Sequence, residues 1–129
     1  MDNRKYAVDR KGIRSFRDII AYQKAYDLSL EIHRITLGFP KIEQFELASQ
    51  LRRATKSICA NIAEGDGKGG SAVEFKRYLR IALGSSSEVR VHLKYCKDLG
   101  YLTEDNYSKF DQEYVLIAKM LSKLTQVWK

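Results

Sequence analysis

The chain has 129 residues, is 44% hydrophobic with a single proline, Pro40, and carries a formal net charge of +7. Such a length and composition exclude a disordered, fibrous or multidomain protein and describe one domain able to bury its own core. No apolar run approaches the roughly 18 residues of a membrane span, and residues 1–14 lack the apolar segment of a signal peptide; the expected location is cytoplasmic, with no membrane partner.

Residues 1–14 read as a basic arm, with Arg4, Lys5, Arg10, Lys11 and Arg14 against Asp2 and Asp9, ahead of a helical domain over residues 15–129. Ser15 followed three residues later by Asp18 signals a helix start. Ala21, Ala25, Leu28, Ile32 and Ile35 then recur at steps of four and three, until Gly38 and Pro40 close the first helix. The second helix is predicted from about Glu43 to Glu64, with Leu47, Leu51, Ala54, Ile58 and Ile62 on one face and Gly65 as its left-handed cap. Gly65, Gly67 and Gly70 happen to have the spacing of a dinucleotide fingerprint. A strand should precede that motif, and here a helix does, so residues 65–70 read as a cap and a turn. Lys68 and the free N–H groups behind Ser71 leave room only for a passing phosphate.

Ser71 and Glu74 form a capping-box pattern at the third helix, whose stripe is Phe75, Leu79, Ala82, Ser86, Val89, Leu93 and Cys96 before Gly100. Thr103 caps the fourth, with Glu104 and Asp105 where the helix dipole favours acids. Its stripe is Tyr107, Phe110, Tyr114, Ile117, Leu121, Leu124 and Trp128. Short connections make neighbours antiparallel, so the expected fold is all-α, an antiparallel up-down-up-down four-helix bundle.

Three surfaces lie off these stripes. Lys76, Arg80, Arg90, Lys94 and Lys97 form a ridge along the third helix, matched either to the regular charge of a nucleic acid or to a solvated outer face. Together with Arg10, Lys11 and Arg14 of the arm they are the candidate contacts to RNA or DNA, made to backbone phosphates because no aromatic cluster interleaves them. On the opposite flank, Tyr78, Ile81, His92 and Tyr95 extend the apolar surface further than one core needs, as do Val115, Leu116, Met120 and Val127 of the fourth helix; these are the candidate oligomer interface. In the second helix, Gln50, Arg53, Ser57, Asn61 and Glu64 make a polar ladder for which Arg80 and Glu88 are the expected partners.

Catalysis has little to build on. His33 and His92 lie in no metal or triad spacing, Cys59 and Cys96 are far apart, and no nucleophile or oxyanion site assembles around Glu64 and Glu88; no cofactor and no metal is expected.

The segments "SFRDIIAYQKAYDLSLEIHRIT", "LASQLRRATKSICANIAEG", "EFKRYLRIALGSSSEV" and "LGYL" together resemble the four-helix bundle proteins encoded in intervening sequences of bacterial 23S ribosomal RNA genes, over about residues 15–102. The resemblance implies assembly as a ring-like homopentamer. The chain is also similar to the accessory proteins of diversity-generating retroelements, basic pentameric bundles that bind nucleic acid and a reverse transcriptase, which implies a possible protein partner. The polar signature of the family falls here on Arg52, Ser57, Asn61, Glu64, Arg80, Gly84, Ser85 and Glu88. Cys59 stands where the family pattern has proline and Tyr22 where it has tryptophan, differences that concern packing. The competing function is a homo-oligomeric scaffold or adaptor whose basic ridge serves solubility.

Overall fold

The computed structural model describes residues 15–67 and 71–128. Four helices, α1 (Ile20–Thr36), α2 (Leu47–Asp66), α3 (Ala72–Asp98) and α4 (Glu104–Val127), pack in chain order as an up-down bundle. α2 packs most extensively on α3, α3 on α4, and α4 returns against α1. Lys24 to Glu113 and Lys109 to Glu31 are ion pairs across that last seam. The arm of residues 1–14, with Arg10, Lys11 and Arg14, lies outside the described residues, as do Lys68 and Gly70.

The heptad-like stripes are the core. Every named stripe residue of α2 and α3 is buried, as are Ala21, Ala25, Leu28 and Ile32 of α1 and Phe110, Tyr114, Ile117, Leu121 and Leu124 of α4. Only Ile35 and Tyr107 stop at half-burial. Trp128 folds back beyond α4 with its ring 4.4 Å from that of Phe75, sealing one end of the core. At the other end the rings of Phe39 and Tyr101 pack at a tilt, their centres 5.2 Å apart.

Helix ends differ from the expectation at three places, each with a local cause. The Ser15 and Asp18 capping box is present, but it closes a 3₁₀ turn over Phe16–Asp18; extended Ile19 intervenes and α1 starts at Ile20. α2 starts at Leu47 rather than Glu43, because Lys41–Phe45 winds into a 3₁₀ turn behind Pro40, and Glu46, at φ −115° and ψ −104°, breaks it from the helix. Gly65 is not a cap: α2 runs on to Asp66, and Gly67 ends it with ordinary right-handed geometry. What Gly65 provides is a close approach. A Cβ there would lie 2.8 Å from Tyr78 Cβ and 2.9 Å from Phe75 Cδ1, so α3 could not pack as it does.

At α3 only half of the expected box forms: Ser71 accepts from the Glu74 N–H at 3.3 Å, while the Glu74 carboxylate accepts from Arg77 instead. Thr103 caps α4 as expected, accepting from the Asn106 N–H at 3.1 Å. α3 stops in a Schellman motif: Gly100, at φ +85°, donates to the Lys97 carbonyl and Tyr101 to that of Cys96.

Candidate nucleic-acid interface

α3 carries both candidate surfaces, one on each side of its buried stripe. A helix of 27 residues is about 40 Å long, so the cations from Lys76 to Lys97 are strung along most of its length. Lys76 is half-buried and Arg80, Arg90 and Lys94 are exposed. Their surroundings differ between the two halves of the helix. Lys76 and Arg80 make no ion pair among the described residues. The other three are held by acids: Arg90 donates to both carboxylate oxygens of Asp111, at 2.8 and 3.3 Å, Lys94 reaches Asp98 at 3.3 Å, and Lys97 reaches Glu104 at 3.0 Å. Asp111 and Glu104 belong to α4, so the neighbouring helix supplies countercharges that a reading of α3 alone does not contain. Of the three, only Lys94–Asp98 is exposed on both sides; a pair of that kind contributes little stability and exchanges readily, so that charge stays available to another anion.

The fourth helix also changes the aromatic pattern. Tyr107 sits beside the ridge, with the Lys97 ammonium 5.2 Å from its ring centre. A groove of about 570 Å³ runs between α3 and α4 here, lined by Arg90, Val91, Lys94, Tyr95 and Asp98 from one wall and Tyr107 and Asp111 from the other. Aromatic rings therefore do interleave with the basic residues, contrary to the expectation from sequence. The packing of α4 on α3 brings Tyr107 there, and no spacing along one helix signals it.

On the other flank, Ile81 is 41% exposed, Tyr78 and His92 are half-buried, and His92 Nε2 pairs with Glu88 at 3.1 Å one turn away. Tyr95 is 58% exposed and lines the α3/α4 groove. Gly84, in the same stretch, is exposed, and a Cβ there would meet nothing within 4 Å among the described residues.

Of the polar signature residues, four fall into two clusters: Ser57, Asn61 and Ser85 in one, Arg52 in the other. Ser57 and Ser85 share a hydrogen bond of 2.8 Å between α2 and α3, and Asn61 donates to the Ser57 hydroxyl at 3.0 Å and carbonyl at 2.8 Å. Glu64 is exposed further along the same helix. Arg80 and Glu88, the expected partners of this ladder, are placed elsewhere: Glu88 pairs within α3 and Arg80 faces out. Arg52 belongs to a separate cluster. Its guanidinium donates to Thr36 Oγ1 at 2.8 Å and to Gln44 Oε1 at 3.1 Å, while Gln44 donates to the Thr36 and Phe39 carbonyls, so the end of α1, the 3₁₀ turn and α2 are tied together. Gln44, which the sequence reading passed over, is the hinge of that cluster; it stands in the irregular segment that was expected to be helix.

Burial pushes both thiols, Cys59 and Cys96, up to about 12, which leaves them protonated and poor as nucleophiles. Among the described residues no group of three or more His, Cys, Asp or Glu side chains could hold a metal ion, and no helix is long and apolar enough to cross a membrane.

Comparison with known proteins gives two findings. The profile of a family described as 23S rRNA-intervening sequence protein matches residues 17–123. A crystal structure of a Bacteroides thetaiotaomicron protein of unknown function from the S23 ribosomal protein family superposes with a TM-score of 0.74 at 21% identity, covering 83% of this chain and 96% of that one. That likeness is one of fold. No curated protein matches the chain at a significant level.

Proposed function

Because the chain belongs to the 23S rRNA-intervening sequence protein family, we propose that it works as a non-catalytic, ring-like homo-oligomer, a homopentamer by the resemblance in its motifs, that binds RNA or DNA through backbone phosphates. The observation that carries the assembly is Gly84. Glycine inside a helix costs roughly 1 kcal/mol against alanine, and unlike Gly65 none of the described residues comes near enough to require it. A neighbouring subunit pressed against α3 would. Ile81 is exposed one turn away on the same flank, with Tyr78 and His92 beside it, while Tyr95 goes with the groove. A ring needs two different surfaces in contact, and the apolar flank of α4 around Leu116, also 41% exposed, is the complement in this reading.

Binding of nucleic acid draws on the net charge of +7 and on the ridge of α3, repeated in every subunit. Weak contacts on linked copies gain avidity without any new interaction. The ion pairs of Arg90, Lys94 and Lys97 favour the second reading, a homo-oligomeric scaffold for a protein partner, because they lower the local charge of the ridge. Light scattering separates assembly from its absence: the wild type should be oligomeric at tens of micromolar, and Ile81→Glu and Gly84→Leu should be monomers of unchanged helicity. A monomeric wild type would sink the ring. For the ligand, Arg90→Gln, Lys94→Gln and Lys97→Gln together should weaken RNA binding evenly across sequences and flatten its salt dependence. Unchanged binding in that variant would favour the scaffold.

A further inference from the structure

Resting on the phosphate-binding reading above, we infer that the groove between α3 and α4 holds an unpaired base, so that the nucleic acid bound is single-stranded. Tyr95 of α3 and Tyr107 of α4 both line a groove of about 570 Å³, large enough for a nucleobase, and Val91 of α3 adds an apolar side chain to the same lining. Arg90 and Lys94 line the same groove, and Lys97 reaches over the ring of Tyr107 from beside it. Aromatic faces next to cations are what a single strand engages: bases stack on the rings and the phosphates on either side meet the cations. A duplex hides its base faces in its own stack and offers only phosphates to such a surface.

The pairing of the cations fits this arrangement. The bidentate contact with Asp111 fixes the Arg90 guanidinium beside the groove. Lys94 and Asp98 are both about half exposed, so a phosphate can take the place of that carboxylate at small cost. Stacking is tolerant of base identity, since every base has a π face, and the site therefore adds preference for strand state without adding sequence specificity.

The test is fluorescence anisotropy of the full chain with a labelled single-stranded RNA of about 12 nucleotides and a duplex of the same length, each over a salt series. The single strand should bind at least about tenfold more tightly, a stacked base being worth about 1–3 kcal/mol. Tyr95→Ser should remove about tenfold of single-strand affinity while leaving duplex affinity and both salt slopes unchanged, and Tyr95→Phe should restore it. Tyr95 is largely exposed, so these variants should fold; circular dichroism checks that. Equal binding of the two RNAs, with Tyr95→Ser altering neither, overturns the base site and leaves the phosphate reading standing. Failure of both RNAs to bind overturns the base site and the phosphate reading together.

Discussion

A methyl group added at Gly65 would meet the Tyr78 and Phe75 side chains at under 3 Å, in a buried contact between α2 and α3 with no flexible end to yield. Gly65→Ala should therefore destabilise the protein by about 1–3 kcal/mol, the usual range for overpacking, although alanine is the better helix former. A urea midpoint equal to that of the wild type would show that the helices separate there easily. Cysteine gives a prediction in pH. Burial raises both thiols well above the roughly 8.5 of an unfolded chain, so the folded state holds its protons longer than the unfolded state does. Their contribution is complete below that value and is lost as pH rises from about 8.5 towards 12, in the same direction as that of buried Tyr114. Between pH 7.5 and 10 the urea midpoint should fall, and it should fall less in a Cys59→Ala, Cys96→Ala variant. Equal falls in the two proteins would mean that the thiols are not what titrates.

At the scale of elements, the stripes were legible because a bundle buries one face of each helix and the 3.6-residue period writes that face into the sequence. Leu93 is fully buried in α3, and Leu93→Ala should cost about 2–5 kcal/mol, whereas exposed Lys94→Ala should cost little; chemical denaturation of the two variants checks both. The starts of α1 and α2 were less legible. Ser15 and Asp18 do make their box, but the same side-chain chemistry closes a 3₁₀ turn as well as an α-helix, and only packing chooses between them. Residues 41–46 carried no signal for the cluster of Arg52, Thr36 and Gln44, because its hydrogen bonds join three elements. Arg52→Ala leaves Thr36 and Gln44 without these partners and should lower stability by about 1–3 kcal/mol. Proteolysis between α1 and α2 should quicken in the same variant, since that cluster pins the turn. The groove was illegible for the same reason: Tyr107 and Asp111 come from α4, and their place beside Arg90 depends on how two helices meet.

For the whole molecule, the proposed binding joins charge to repetition. One subunit offers a single ridge of which three members already have acidic neighbours, a surface suited to a weak contact. A ring presents that ridge several times to one strand, so affinity should depend on assembly even where no contact residue changes. The most direct measurement is the affinity of wild type and Ile81→Glu for one long single-stranded RNA, with the mass of each protein determined in the same buffers, between about 50 and 200 mM salt. The wild type should be oligomeric with an affinity that falls steeply with salt, and Ile81→Glu should be monomeric and bind at least about tenfold more weakly with its basic ridge intact. Equal affinity of monomer and oligomer, or binding that does not change across that salt range, would contradict the proposed binding.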